Sequence, residues 1–227
     1  MERPVLELEQ LRLKYPGTER WTLDGLDLRL NAGETLALVG ASGCGKSTVA
    51  RAVMQLLPPG TTCEGRLRLT GQDPRRLDRH GLRRLRGQAA GLVFQDPMTR
   101  LNPLMTVGGH LQDTLNAHRP HSSTSWRRER SDELLERVGI GVQRSRAYPH
   151  ELSVGEQQRA SIARALLHEP KVVFADEPTS ALDDHNAEAV MDILDREAAE
   201  ATLVVVTHDQ RLKDRYPTCV TLEPRKA

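Results

Sequence analysis

Gly40-Ala41-Ser42-Gly43-Cys44-Gly45-Lys46-Ser47 has the form G-x-x-x-x-G-K-S. It lies between the apolar run Thr35-Leu36-Ala37-Leu38-Val39 and the helix-forming stretch Thr48 to Met54. A strand on one side and a helix on the other is the setting that a phosphate-binding loop requires. Backbone N–H groups converge there on phosphate oxygens at a helix N-terminus, and glycines let the chain turn and approach closely. Gly40, Ser42, Gly43, Cys44, Gly45, Lys46, Ser47 and Thr48 are therefore candidate nucleotide contacts. Lys46 is spaced to reach the β- and γ-phosphates, and the Ser47 hydroxyl to take a coordination place on Mg²⁺. The competing reading, a chance string in a glycine-bearing turn, leaves the flanking strand and helix without a reason.

Upstream, Val5 to Leu8 and Leu11 to Tyr15 alternate as strands, Pro16-Gly17 turns, and Leu26 to Leu30 alternates again, so the chain opens β-rich. Downstream, a helix from about Ser47 to Leu57 stops at Pro58-Pro59-Gly60, and Gly65 to Leu69 resumes strand character. Gly91 to Phe94, Lys171 to Ala175 and Thr202 to Val206 read as buried strands, Gln157 to Leu167 and Ala187 to Ala199 as helices. Strands alternating with helices imply an α/β fold with a largely parallel sheet. One domain is expected, with residues 1–95 and 157–227 as its core. Residues 96–156, with helical spacing in His110 to Ala117 and Arg127 to Val138, form a helical insert.

Asp176 and Glu177 follow the strand Lys171 to Ala175. The C-terminal end of a parallel strand is where open sheets bind ligands, so Asp176 can hold the Mg²⁺ shell and Glu177 can polarise an attacking water. Two solvated acids after a strand are common in isolation; beside a phosphate loop the functional reading is the stronger. Thr207-His208-Asp209 repeats the arrangement after the next strand, and His208 there can contact the γ-phosphate, an ordinary strand-end histidine being the alternative.

Two other clusters read as bland. Arg75, Arg76, Arg79, Arg83, Arg84 and Arg86 crowd one segment, with Arg68 just upstream. Such a run can grip a phosphate backbone, but no aromatic residues interleave it, which favours a solvated helical face. His118 and His121 lack a third metal ligand nearby and are expected in a surface loop over residues 118–125. With 32 Lys and Arg against 31 Asp and Glu, nothing in the overall charge recommends nucleic acid or acidic lipid as a partner. No apolar run approaches the roughly 18 to 20 residues of a membrane span, and the N-terminus opens no secretory signal. Cys44, Cys63 and Cys219 are scattered without a C-x-x-C, which fits a reduced cytosolic compartment.

Five segments in order resemble the ATP-binding cassette (ABC) ATPases. They are the phosphate loop, Gln95, Leu152-Ser153-Val154-Gly155-Glu156-Gln157-Gln158-Arg159, Val172 to Glu177, and Ser180-Ala181-Leu182-Asp183 followed by His208. The 152–159 stretch is the most specific, because the phosphate loop is shared by many NTPases. The resemblance implies a P-loop NTPase (RecA-like) core with a mostly parallel sheet, an N-terminal antiparallel β subdomain and an inserted helical subdomain. By position, Tyr15 matches the aromatic that stacks on adenine, and Gln95 the glutamine that senses Mg²⁺ and water. Ser153, Gly155 and Glu156 match the signature that faces the γ-phosphate of an opposing subunit, and Asp183 the dimer-contact aspartate. ATP and Mg²⁺ are the implied cofactors, the ion near Ser47, Gln95 and Asp176, with Lys46, Glu177 and His208 in catalytic roles. The implied unit is two cassettes head to tail around two ATP molecules. Its partners are a second ABC ATPase subunit, identical or different, and integral-membrane permease subunits at the cytoplasmic face of the cell membrane. No nucleic acid is expected. Against the usual Leu-Ser-Gly-Gly-Gln, Val154 replaces the first glycine and Glu156 the glutamine. A valine enters left-handed backbone space only at a cost, so an altered ATP contact is expected.

The segments Phe94 to Pro103 and Tyr148 to Ser153 look like the dipeptide, oligopeptide and nickel importer branch, with residues 96–107 as the face that touches the membrane partner. Against that branch, the sequence stops 19 residues after His208, short of the longer tail the resemblance implies, and Val205 to Leu212 together with Leu152-Ser153-Val154-Gly155 are similar to lipoprotein-release and macrolide-export cassettes. The importer branch is the favoured reading; a soluble cassette ATPase of DNA repair or translation is the third.

Overall fold

The computed structural model describes residues 3–97, 101–209, 212 and 215–223. Met98, Thr99 and Arg100 of the segment expected to touch a membrane partner, and Gln210 and Arg211 of the export-like stretch, lie outside them.

Leu6, Leu8, Leu11 and Leu13 are all buried on one strand, β1 (Leu6–Lys14), although Leu8 and Leu11 are an odd number of residues apart. A bulge reconciles the two: Gln10 takes φ 48° and the pairing register shifts there, so both leucine pairs face inward. The expected two strands are thus one. Asp27 accepts from the Gln10 N–H at 2.7 Å and also from its side-chain amide. β2 (Leu23–Leu30) and β4 (Thr62–Leu69) flank β1 in an antiparallel sheet of order β2-β1-β4.

The second sheet is parallel throughout, in the order β5 (Ala90–Val93), β6 (Val172–Asp176), β7 (Thr202–Thr207), β3 (Thr35–Gly40) and β8 (Thr218–Leu222). Its inner strands are buried on both faces, as parallel strands require. Alternate residues feed two apolar clusters. Leu36, Leu38, Phe174, Val204 and Val206 pack with α1 (Lys46–Val53) and the leucines of the antiparallel sheet. Ala37, Val39, Val173, Ala175 and Val205 pack with α3 (Val107–His118), α4 (Thr124–Arg137), α5 (Val154–Leu166) and α6 (Asp184–Glu197).

Several boundaries differ from expectation. α1 ends at Val53, not Leu57, because Gln55 turns left-handed at φ 52°. The arginine run is only partly helical: α2 covers Arg79–Arg84, and Arg75 and Arg76 belong to a separate turn, Pro74–Arg76. His118 is not in a loop but is the last residue of α3, half-buried, its ring 4.4 Å from that of His168. β8 has no counterpart among the expected strands. Among the described residues no helix is long and apolar enough to cross a membrane.

Candidate functional site

β3 ends in Gly40, the chain turns through Gly43 and Gly45 at φ 79° and 98°, and α1 begins at Lys46. A Cβ at Gly45 would stand 2.8 Å from Leu23 Cδ2 and 3.0 Å from the Thr22 carbonyl oxygen, so the loop closes against β2 only with glycine there. Lys46 is 5% exposed and folds back over its own loop, donating from Nζ to the carbonyls of Gly40 (2.9 Å) and Ala41 (3.0 Å). Ser47 Oγ donates to Asp176 Oδ1 at 2.6 Å, joining the helix start to the end of β6. Burial pushes the Asp176 carboxyl above the ordinary range, against the Ser47 hydrogen bond and the Arg51 charge, which pull it down.

Glu177, the next residue, sits at φ 49° with its side chain buried. Its N–H donates to the Val206 carbonyl at 2.7 Å, which ties it to the neighbouring strand β7. Oε1 lies 2.8 Å from His208 Nδ1 and 3.9 Å from Lys46 Nζ. Oε2 accepts from Thr207 Oγ1 (3.2 Å) and the His208 N–H (3.3 Å), and Thr207 Oγ1 in turn accepts from the Asp209 N–H (2.9 Å). The arrangement fixes a carboxylate beside a buried ammonium at the mouth of the loop.

Tyr15, Ser42, Gly43, Gly45, Lys46, Ser47, Thr48, Gln95, Glu177 and His208 line one open cleft of about 540 Å³. The Tyr15 hydroxyl meets Thr48 Oγ1 at 3.1 Å, which fixes the ring at the edge of the loop. Asp176 reaches this cleft through Ser47, Gly40 and Cys44 form the base of the loop behind it, and Thr22 lines it unanticipated by the sequence reading. A hydroxyl and a carboxylate 2.6 Å apart are a hard oxygen pair of the kind Mg²⁺ takes, with phosphate and water to complete its shell.

Ser153, Gly155, Glu156 and Asp183 are not among the residues lining the cleft. Ser153 caps α5: its Oγ accepts from the Glu156 N–H (3.3 Å), and Glu156 Oε2 accepts from the Ser153 N–H (2.8 Å). Glu156 also holds Arg144, through 3.2 and 3.0 Å contacts, and this hydrogen bonding keeps its carboxyl below the ordinary range. Asp183 caps α6 and accepts from Asn186 N–H and Nδ2 (2.9 and 2.8 Å). A Cβ on Gly155 would come within 3.0 Å of Asn186 Oδ1, so the two helix starts approach closely. Val154 is the first residue of α5 and has no left-handed backbone. The expected strain is therefore absent; the replacement adds an apolar side chain that is 46% exposed. The sequence reading named Thr207 without giving it a role and passed over Arg144 and Asn186. The place of Thr207 between a buried strand and His208 was visible, but its bond to Glu177 depends on the pairing of β6 with β7.

A family model described as ABC transporter matches residues 23–180. The oligopeptide transport ATP-binding protein OppD of Mycobacterium tuberculosis is 40% identical over 212 residues, covering 91% of this chain and 35% of its own length. The probable D,D-dipeptide transport ATP-binding protein DdpD of Escherichia coli is 40% identical over 217 residues, covering 92% and 66%. The chain thus spans about a third to two thirds of the length of these relatives. Among solved structures, the dimeric post-hydrolysis form of the ATP-binding cassette MJ0796, bound to ADP and Pi, superposes with a TM-score of 0.84 at 30% identity over 97% of both chains. A parallel sheet carrying a phosphate loop, an antiparallel sheet beside it and a capped signature helix agree with these likenesses, and the chain belongs to the ABC transporter family as one of its ATP-binding cassettes.

Proposed function

We propose that the chain is the ATP-binding and ATP-hydrolysing subunit of an ABC membrane transporter, most compatible with import of peptides. The observation that carries the reading is the convergence of Lys46, the Ser47–Asp176 pair and Glu177 on one cleft. Lys46, released from the Gly40 and Ala41 carbonyls, offers a point charge to the β- and γ-phosphates. Ser47 and Asp176 would hold Mg²⁺, with Gln95 at the rim, and the ion would supply neutralisation of phosphate charge. Glu177 accepts the proton of the attacking water, and His208, bonded to Glu177 and lining the same cleft, is in this reading the contact for the γ-phosphate. Tyr15 contributes an aromatic face for adenine.

Ser153, Gly155, Glu156 and Asp183 lie away from the cleft, and their use for ATP calls for a second cassette, which the dimeric form of MJ0796 supports. Relatives named for oligopeptide and D,D-dipeptide transport support the peptide importer over the release or export reading and over a soluble cassette. Permease subunits would then hold the protein at the cytoplasmic face of the membrane. The test is Mg²⁺-dependent ATP hydrolysis by the purified chain. Lys46→Ala should reduce it by about a hundredfold or more, since a charge acting on the transferred phosphoryl group is removed. Equal turnover by variant and wild type would overturn the assignment.

A further inference from the structure

The near-neutral total charge conceals an uneven distribution. Residues 66–86 hold eight arginines against two aspartates, in a chain with 32 basic and 31 acidic side chains. Both aspartates are engaged locally, Asp73 capping the turn Pro74–Arg76 and Asp78 capping α2. Arg66 and Arg68 stand on the outward face of β4, the alternate residues Leu67 and Leu69 being buried. The hairpin closed by Leu69 and Gln72 brings Arg75 and Arg76 back beside them. The four arginines line one polar hollow of about 470 Å³ with Gly65, Gly71 and Asp73.

Arg75 is a fixed wall. Both oxygens of Asp73 hold it (2.9 and 2.8 Å), and so does the Gly65 carbonyl (3.1 Å). Among the described residues, the other three keep free donors. Arg76 has an 87% exposed side chain and only a 3.9 Å approach to Asp73. Arg66, half exposed, makes one bond, to Glu9 at 3.2 Å. Arg68 is directly across the sheet from Glu7, yet among the described residues no ion pair joins them. A face that serves only solvation interleaves its charges. Here three guanidiniums gather around a hollow whose single carboxylate is already paired, and such a concavity focuses positive potential. The guanidinium fork matches phosphate oxygens in pairs. Gly71, at φ 80° with nothing within 4 Å of where a Cβ would stand, leaves backbone open to an anion as well. Arg84 and Lys171 line a second hollow with Thr70 and Gln72 of the same hairpin, which extends the field.

We propose that Arg66, Arg68 and Arg76 form a second anion site, taking a phosphate group presented by a soluble phosphate compound or by an acidic phospholipid headgroup. It shares no lining residue with the nucleotide cleft, so its failure would leave the ATPase reading standing. The test titrates inorganic pyrophosphate into the full chain by calorimetry, with ADP at saturation to occupy the cleft. The readout is the difference between wild type and R68A/R76A, which does not depend on the cleft. R68A/R76A should weaken this binding about tenfold or more, because two charge-assisted contacts are lost. R68K/R76K, keeping charge without the fork, should fall between, and R79A/R83A should change it by less than about threefold. A second arm sediments the chain with phosphatidylcholine vesicles, with and without phosphatidic acid. Binding that needs phosphatidic acid and is lost in R68A/R76A assigns the headgroup; pyrophosphate binding alone assigns a soluble source; either supports the site. Absence of both in the wild type, or equal weakening by R79A/R83A and R68A/R76A, overturns it. Melting temperatures check that the variants fold, and if the double variant does not, Arg76→Ala alone is carried through both arms.

Discussion

Glu177 occupies a left-handed backbone position, at φ 49°, that costs a non-glycine residue on the order of 1 kcal/mol or more. The cost is offset by what surrounds it: the Val206 carbonyl on its N–H, and Thr207 and His208 on its carboxylate. Thr207 is fully buried and its hydroxyl serves two groups at once, donating to Glu177 Oε2 and accepting from the Asp209 N–H. Thr207→Val should therefore lower kcat for ATP hydrolysis by about tenfold while leaving KM within about twofold, since a misaimed base costs turnover more than binding. Thr207→Ser, which keeps the hydroxyl, should restore most of the rate. Steady-state kinetics with both variants checks this, and an equal loss in the serine variant would assign Thr207 to packing. That Lys46, Ser47 and Glu177 meet in one cleft was readable in the chain because each belongs to a contiguous run after a buried strand. The role of Thr207 was not, because it follows from the pairing of Asp176 with Val206, a register set between strands about 30 residues apart.

Helix α5 begins at Val154 because Ser153 and Glu156 close a capping box, three residues before the start that apolar spacing alone suggested. Glu156→Ala removes both the box and the Arg144 contact and should destabilise the fold by about 0.5–2 kcal/mol in urea titration. Glu156→Gln keeps the acceptor for the Ser153 N–H and should cost less; equal losses in the two variants would mean that the Arg144 charge pair dominates. At the other end of the same helical layer, His118 closes α3 and packs its ring, tilted by 49°, against His168, which follows α5. Burial first, then the neighbouring His118, push the His168 imidazole down to about 4 from 6.5. The His118 imidazole is also pushed down, by burial and by Arg83. The folded protein thus favours neutral rings, while the unfolded chain takes up protons near pH 6.5. Their contribution to stability is complete above that value and is lost as pH falls toward about 4. Denaturant unfolding at pH 7 and pH 5 should show this loss in the wild type and much less of it in His168→Gln; equal losses would place the acid sensitivity elsewhere. The polar stretch 118–125 reads as loop locally, but the helix runs on through His118, whose ring meets that of His168, 50 residues away in the chain.

The cleft lies where β3, β5, β6 and β7 all end, at Gly40, just before Gln95, at Asp176 and at Thr207, the edge at which open parallel sheets bind ligands. That much of the molecule was legible, because buried parallel strands are long apolar runs. β8 was not: Thr218, Cys219 and Thr221 are exposed at the sheet edge, and only pairing with β3 makes a strand of them. The residues 152–156 and Asp183, by contrast, were legible as a motif but not as a place, since within one chain they line no part of the cleft. On the proposed function they are completed by a second cassette, with Glu177 as the group that commits each ATP to hydrolysis. A single-turnover assay of Glu177→Gln with Mg²⁺ and ATP tests that role. The expected result is ATP affinity within about twofold of wild type and cleavage slower by roughly 10²–10⁴-fold, because an amide keeps the shape but cannot accept the proton of water. Cleavage at the wild-type rate by Glu177→Gln would contradict the assignment of Glu177 and, with it, the chemistry read from this cleft.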